Sequence, residues 1–312
     1  MNAEPNAAYD EFRHEALLYR GLADFVDRTV PFIRGGVEAG ESVAVVTSAE
    51  HFEALRQALG SHARAVAFAD MADVGANPAR IIPFWQDFIA AQDGRPLRGI
   101  GEPIWAGRSA AELAECQRHE CLLNVAIDRA TPMWLLCPYD LTGLNPEVID
   151  EARCSHPYVT EGLTRRESGV FRGVEGSRAA MAPLPMPPEG CQRFAFRRGD
   201  LAAVREMVAA GAVQAGMSKS RTEDLISAAH EVASNCVRHG GGAGDLRLWR
   251  DDGALITEFR DGGRLEDPLI DRVRPAAHAA GRRGLWLANQ LCDLVQIRTL
   301  PSGTVVRLHM RV

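Results

Sequence analysis

The sequence lacks a hydrophobic run long enough to cross a bilayer. No stretch of about 20 apolar residues, the length that a membrane-spanning helix needs, occurs in the chain. The chain opens Met1-Asn2-Ala3-Glu4-Pro5, so it also lacks the basic residues and the following apolar segment of a secretion signal. We therefore expect a cytoplasmic protein that makes no membrane contact.

An excess of positive charge is also missing. The 312 residues include 35 Lys and Arg against 41 Asp and Glu, which gives a formal net charge of -6. Such a balance provides no general attraction to nucleic acid, so direct nucleic-acid binding is disfavoured. Hydrophobic residues make up 46% of the chain and charged residues 24%, which are the proportions of a globular protein long enough for two domains.

The cysteines indicate no disulfide framework, because seven is an odd number and most lie inside apolar runs. Cys116, His119 and Cys121 lie together on a predicted helix, and Cys154 and His156 follow further along. Their spacing is unusual for structural zinc, and Cys121 lies on a different helical face from Cys116. Core packing is therefore favoured over a metal site formed by these residues.

The stretch Ala228–Gly240 is predicted to form a helix, since its apolar residues recur at spacings of three and four before Gly240. Glu231 and Asn235 stand four residues apart, so they share one face, with Cβ atoms about 6 Å apart. A carboxylate there can take a proton, and a carboxamide oxygen can coordinate a hard cation. By itself, the pattern more often marks an ordinary helix face.

Three features further along the chain give that pair a context. Asp261-Gly262-Gly263 follows the alternating run 255–259, which predicts a carboxylate at a strand end beside a backbone that a ligand can approach. The segment from Gly281 to Leu285 opens an apolar-periodic helix, so glycines and free N–H groups lie where an anion binds. Ser302-Gly303-Thr304 then precedes a closing strand.

In this order the motifs resemble the GHKL, or Bergerat-fold, ATPases over about 80 residues. The resemblance implies that the domain binds ATP with Mg²⁺, and that Asn235 holds the metal against the phosphates. It further implies that Asp261 accepts the adenine amino group, that Thr304 assists there, and that Glu231 acts as the base. The implied site residues are Glu231, Asn235, Asp261, Gly263, Gly281, Gly284, Leu285 and Thr304.

One position departs from the family's first glycine box, D-x-G-x-G. Leu265 occupies the last glycine position, and leucine adopts a positive φ only at a cost, so the loop is expected to differ or to bind ATP less tightly. The lid that follows, Arg264 to Ala280, and the next glycine box carry arginines suited to phosphate, with a solvated basic loop as the alternative. These arginines are Arg272, Arg274, Arg282 and Arg283.

The first half of the chain alternates predicted helices with short buried strands, which indicates a parallel sheet covered on both faces. It resembles the MEDS sensory domain of bacterial regulators over about residues 12–160. The matching segments are residues 14–19, 35–41, 99–105 and 137–140. The resemblance implies an α/β, RecA-like, three-layer domain. No G-x-x-x-x-G-K-[ST] occurs, so this domain has no P-loop and a second ATP site is not expected.

Several polar residues of this half fall near predicted strand ends, where open α/β sheets usually bind ligands. They are Glu102, Trp105, His119, Tyr139 and His156. A small-molecule signal is therefore expected here, although packing is the commoner role for each residue alone. His14 heads a His-Glu pair like the phosphoacceptor box of sensor histidine kinases. That box needs a dimerising helical hairpin joined to the ATPase, so a hydrogen-bonded or surface histidine is favoured.

A Gly-, Ser- and Pro-rich stretch separates the two halves. It predicts a MEDS-like sensory domain at 1–172, a linker at 173–190 and a GHKL ATPase domain at 191–312. The second domain is predicted as an α+β two-layer sandwich, with a helix from Leu201 that ends in a turn at about 211–217.

The ATPase domain, with Cys236-Val237-Arg238-His239-Gly240 beside its N box, looks most like the anti-sigma-factor serine/threonine kinases. The resemblance implies a partner-switching regulator that binds a sigma factor and uses MgATP to phosphorylate an antagonist protein. Two alternatives stay open: an ATP-binding signalling module without catalysis, and a histidine kinase, which the missing hairpin disfavours. A homodimer also stays open.

Overall fold

The computed structural model describes residues 10–176, 182–275 and 283–312. The chain divides into two compact units, Met1–Ala180 and Met181–Val312. Within the described ranges, no helix is both long enough and apolar enough to span a membrane. Each unit has its own sheet, and each is described by itself.

A seven-stranded, mostly parallel sheet forms the centre of the first unit. Its strands are β1 (Arg13–Tyr19), β2 (Ser42–Thr47), β3 (Val66–Asp70), β4 (Leu97–Gly101), β5 (Met133–Asp140), β6 (Tyr158–Glu161) and β7 (Thr164–Glu167). They are ordered β3-β2-β4-β5-β1-β6-β7, and the β6–β7 pair alone is antiparallel among these strands. The predicted α/β class is confirmed.

Six α-helices accompany the strands in the described part of this unit. They are α1 (Gly21–Glu38), α2 (Ala49–Leu59), α3 (Met71–Val74), α4 (Ile81–Ala90), α5 (Ala110–Ala126) and α6 (Pro146–Ser155). Helix α5 begins with a capping box, in which the Ser109 side chain accepts from the Glu112 N–H and the Glu112 carboxylate accepts from the Ser109 N–H. The side chains of Ser48 and Asn145 cap α2 and α6 in the same position.

The second unit is an antiparallel sheet with helices, which confirms the predicted α+β class. Its strands are β8 (Gln192–Arg197), β9 (Ala243–Asp251), β10 (Ala254–Asp261), β11 (Leu294–Leu300) and β12 (Gly303–Arg311). They are ordered β11-β12-β10-β9-β8. Its helices are α7 (Leu201–Ala215), α8 (Lys219–His239) and α9 (Arg283–Leu291).

The core of the second unit lies between these helices and one face of the sheet. Helix α8 buries the predicted stripe that includes Ala229, Val232 and Cys236, and the sheet contributes Phe259 and Val306 among others. Burial of this stripe fixes the rotation of α8 about its axis. The helix face that carries Glu231 and Asn235 is only half-buried as a result.

Candidate functional site

A cleft of about 360 Å³ opens in the second unit at the C-terminal end of α8. The end of β10, the loop that follows it, the start of β12 and helix α9 complete its walls. Its size falls in the range of about 300–1,000 Å³ found for small-molecule sites. The lining residues are Val232, Asn235, His239, Gly240, Asp261, Gly263, Arg264, Leu265, Glu266, Ile270, Leu285, Thr304 and Val306.

Asn235 presents an unusual oxygen to this cleft. Its Oδ1 atom is buried and has no hydrogen-bond partner among the described residues. A buried polar atom left without a partner costs about 1–3 kcal/mol, so it marks a place where a ligand would satisfy the protein. A carboxamide oxygen is a ligand that Mg²⁺ accepts. The site therefore fits a hard cation at Asn235.

Glu231 lies one helical turn before Asn235 and beside the first turn of α9. A methyl group placed on Gly284 would lie 2.9 Å from Glu231 Oε2 and 3.1 Å from Asn235 Nδ2. Glycine at this position lets α9 begin beside α8 without displacing the Glu231 and Asn235 side chains. Glu231 and Gly284 therefore flank the cleft that Asn235 and Leu285 line.

Asp261, Gly263 and Thr304 form a connected group at the strand ends. Asp261 and Thr304 are paired across β10 and β12. The Gly263 N–H donates to Asp261 Oδ1 (2.7 Å), and Thr304 Oγ1 donates to the Gly263 carbonyl (2.9 Å). These bonds hold the Asp261 carboxylate and the turn after it in one arrangement, with all three residues on the cleft wall.

Position 263 has no space for a side chain, so glycine is required there. A methyl group there would approach the His239 carbonyl oxygen to 2.7 Å and Asp261 Oδ1 to 2.9 Å. Separations below 3.0 Å would force the backbone of α8 or the carboxylate to move. The predicted first glycine box therefore requires glycine at this position because α8 and β10 come close together.

Leu265 shows how this chain differs from the D-x-G-x-G pattern. Among the described residues, positive φ outside glycine is found at Asp93 and Asp252, and Leu265 is not one of them. Its side chain instead packs against the core and lines the cleft. The loop thus takes a conformation that leucine adopts without strain, and the leucine adds apolar surface to the site.

The arginines of the predicted lid and of the glycine box after it differ in their burial. Arg272 is fully buried, and its Nε lies 3.0 Å from Asp271 Oδ2. The expectation that Arg272 faces phosphate or solvent is wrong, because burial beside a carboxylate ties it into the fold. Arg274 and Arg283 are exposed, as both expectations allowed. Gly281 and Arg282 lie outside the described residues.

Sequence reasoning missed several residues of the cleft. Val232 precedes Asn235 by three residues and His239 follows it by four, so helical spacing alone would have placed both on the same face. Cys236 lies next to Asp261, where burial raises the pKa of its thiol and the carboxylate raises it further. The thiol therefore stays protonated and serves as a hydrogen-bond donor to Asp261.

In the first unit, the residues expected near strand ends are mostly buried. Glu102 accepts hydrogen bonds from Tyr19 Oη (2.8 Å) and faces His51 Nδ1 at 2.7 Å, a network that packs the strand ends together. His14 is 1% exposed, which places it out of reach of a phosphodonor, as the preference for a hydrogen-bonded histidine requires. The Cys116 thiol donates to the Pro103 carbonyl (3.3 Å), as in ordinary core packing.

Comparison with protein families assigns both units. Residues 13–157 match the MEDS family, the methanogen/methylotroph DcmR sensory domain. Residues 194–310 match the histidine kinase-like ATPase domain. No curated protein matches the chain. One similar solved structure contains the RsbU and RsbW domains of a Mycobacterium tuberculosis protein, at 18% identity and a TM-score of 0.30. That match covers 38% of this chain and 32% of the other.

Proposed function

Because the chain joins a MEDS domain to a histidine kinase-like ATPase domain, we propose that it is a signalling regulator that binds MgATP and transfers phosphate to a partner protein. One observation carries the proposal. The unpartnered, buried Asn235 Oδ1 lies in the same cleft as the Asp261 carboxylate. The proposed metal ligand, Asn235, and the proposed acceptor for the adenine amino group, Asp261, therefore line one cleft of suitable size.

In the proposed complex, adenine lies at the strand ends. Asp261 accepts a hydrogen bond from the adenine amino group, which guanine cannot offer at that position. Thr304 holds the Gly263 carbonyl and thereby the turn beside the base. Leu265 and Val306 supply apolar contact, and the phosphates extend toward Asn235 and the start of α9, where helix N–H groups favour anions.

Glu231 is the proposed base for phosphoryl transfer. The hydroxyl oxygen of a Ser or Thr on the partner attacks the γ-phosphorus, the bond to the β–γ bridging oxygen breaks, and the hydroxyl proton passes to the Glu231 carboxylate. Asn235 would hold Mg²⁺, which would neutralise part of the phosphate charge. Glu231 lies one turn from Asn235 on the same helix, so a single rigid element positions both groups.

The proposed biological class is an anti-sigma-factor kinase. In that reading the ATPase domain binds a sigma factor and phosphorylates an antagonist, and the MEDS domain tunes the exchange in response to a small ligand. The resemblance of the segment Cys236–Gly240, which follows Asn235, supports this class over a histidine kinase, as does the burial of His14. An ATP-binding module without catalysis is the second candidate, because Leu265 replaces the last glycine of the first box.

Two variants test binding and chemistry separately. Asn235→Ala is expected to remove the Mg²⁺-dependent part of ATP affinity, measured by calorimetry with and without the metal. Glu231→Gln keeps the side-chain shape, so it is expected to bind ATP like the wild type but to transfer labelled phosphate to a candidate antagonist about 10²–10⁴-fold more slowly. Wild-type ATP binding without any transfer would favour the second candidate. Absence of ATP binding would refute both.

A further inference from the structure

Four buried side chains with metal-binding atoms meet on one face of the first unit's sheet. They are His14 on β1, Glu120 on α5, Cys137 on β5 and His156 just after α6, and each is at most 1% exposed. One ligand atom from each lies within 4.8 Å of all the others. The set shares only His156 with the group Cys116, His119, Cys121, Cys154 and His156, for which core packing was favoured over a metal site.

The sheet register explains how residues so distant in sequence meet. Strands β1 and β5 are parallel neighbours in which Ala16 pairs with Cys137 and His14 pairs with Leu135. Residues two apart on a strand share a face, so His14 and Cys137 project to the same side. Helix α5 brings Glu120 over this face, and the Glu120 Oε2 atom lies 3.1 Å from His14 Nε2.

The hydrogen-bond network fixes the tautomer of His14. The Asn124 amide nitrogen donates to the carbonyls of Glu120, Cys121 and Ser155 at 3.2, 3.1 and 2.8 Å. That orientation turns Asn124 Oδ1 toward His14 Nδ1, 3.1 Å away, so Nδ1 must carry the proton. The Nε2 lone pair of a neutral His14 then points at Glu120 Oε2 and at Cys137 Sγ, which lies 3.4 Å away.

His156 is held in the same way. Its Nδ1 lies 2.8 Å from the Ala152 carbonyl oxygen, which can only accept, so this nitrogen also carries the proton. Its Nε2 lies 3.3 Å from Glu120 Oε2 but forms no hydrogen bond in the described structure. Both rings therefore direct a lone pair at the same carboxylate oxygen, and both are anchored by a bond from the other ring nitrogen.

Such a convergence of electron pairs is unfavourable without a cation between them. One proton on His14 Nε2 would pair that ring with Glu120 but leave the His156 lone pair facing the same carboxylate oxygen. Protonating both rings would place two positive charges on imidazoles whose centroids are 4.1 Å apart, away from solvent. Of the separations between ligand atoms, 3.3 and 3.4 Å fall in the range expected around one tetrahedral metal, and 3.1 Å lies slightly below it, so small side-chain shifts would complete the geometry. With metal–nitrogen bonds of about 2.0–2.1 Å and a metal–sulfur bond of about 2.3 Å, tetrahedral ligands lie roughly 3.3–3.7 Å apart.

We propose that His14, Glu120, Cys137 and His156 bind one divalent transition-metal ion of the zinc class. Imidazole and thiolate ligands together suit Zn²⁺ and its neighbours and disfavour Mg²⁺ and Ca²⁺. Anchoring of a ligating imidazole through its second nitrogen, here to Asn124 and Ala152, is the usual support of such a site. One carboxylate and one thiolate balance the charge of the ion. The metal would link β1, β5, α5 and the end of α6.

The test uses the full chain purified without a histidine tag. Elemental analysis after expression in zinc-supplemented medium is expected to give close to one metal per chain. Replacement by Co²⁺ is expected to give the visible bands of a tetrahedral ion and a thiolate-to-cobalt charge-transfer band in the near ultraviolet. Metal content below one tenth per chain, together with no cobalt spectrum after reconstitution, would overturn the proposal.

A matched pair of variants assigns the ligand. Cys137→Ser is expected to abolish the charge-transfer band and weaken metal retention against a chelator by at least tenfold, the scale on which supporting residues alone act. Cys116→Ser changes an equally buried thiol that bonds to Pro103, so it is expected to keep the band. Persistence of the band in Cys137→Ser would refute this ligand set. If Cys137→Ser fails to fold, the wild-type cobalt spectrum still decides whether a thiolate binds the metal.

Discussion

Asn235 and Gly284 lie against each other where α8 meets the start of α9. A methyl group on Gly284 would come within 3.1 Å of the Asn235 amide nitrogen and within 2.9 Å of Glu231 Oε2. The two side chains proposed to handle metal and proton are thus confined by a backbone that passes directly beside them. This contact joins Gly284, of the predicted second glycine box, to the two proposed site residues on α8.

Replacing Gly284 by alanine is therefore expected to disturb the site more than the fold. The added methyl group must displace the Glu231 or Asn235 side chain, and both are only half-buried and can turn away. We expect ATP affinity to fall by about tenfold, or roughly 1.4 kcal/mol, with little change in the unfolding temperature. Gly262→Ala is the control, since its methyl group would lie 3.5 Å from the nearest atom, the Gly240 carbonyl oxygen. Equal ATP affinity in both variants would contradict the assignment of Gly284.

Asp261→Asn tests whether Asp261 makes the site prefer adenine to guanine. The amide can turn a donor toward the adenine amino group, which leaves two donors facing each other at a cost of about 1–3 kcal/mol. Wild-type protein should prefer ATP to GTP in calorimetry, and the variant should lose that preference. An unchanged preference in Asp261→Asn would show that adenine is recognised elsewhere.

Thr304→Val tests whether the Thr304 hydroxyl holds the turn at Gly263, beside the proposed adenine position. The substitution keeps the shape but removes the bond from Oγ1 to the Gly263 carbonyl, a loss of about 1 kcal/mol. We expect weaker ATP binding together with a lower unfolding free energy, measured by denaturant titration. Thr304→Ser restores the hydroxyl and should recover most of both quantities. If valine and serine behave alike, the bond does not support the site.

The sequence predicted the elements that obey a simple period. The apolar stripe of α8 places Glu231 and Asn235 on one face, as expected, because burial of one stripe leaves no other rotation. The helix–strand alternation of the first half likewise predicted its parallel sheet. Both family resemblances are confirmed by the matches to residues 13–157 and 194–310.

The misses have physical causes. Strand β1 was not predicted because it begins Arg13-His14-Glu15. Polar residues are not the usual pattern of a strand that lies between two others in a parallel sheet. Helix α7 runs through the predicted turn to Ala215. Gly211 sits inside it because a methyl group there would approach Leu248 Cδ2 to 2.1 Å, so this glycine serves close packing. The four-residue cluster around Glu120 could not be predicted, since its members come from four separate parts of the chain.

The proline-rich segment before β8 gives the last prediction. Its carbonyls contact the sheet of the second unit: Arg298 Nε donates to the Ala182 oxygen (3.2 Å), and the Arg307 guanidinium donates to the Pro185 oxygen. Both arginines are nearly buried, and Arg307 also bonds to Glu258 Oε2 at 2.6 Å. Part of the predicted linker thus satisfies charged groups of the ATPase domain.

A fragment of residues 181–312 is therefore expected to be more stable than one of residues 190–312. We expect both to fold and to bind ATP, because the cleft lies wholly within the shorter one. Loss of two hydrogen bonds from charged donors should lower the unfolding free energy of the shorter fragment by about 1.5–3 kcal/mol or more in urea titrations.

Arg298→Gln made in both fragments is the internal control. It should cost more in the longer fragment, where the Ala182 carbonyl is present, by a coupling of at least about 0.5 kcal/mol. Equal stability of the two fragments, with no coupling to Arg298, would show that residues 181–189 act as a linker alone.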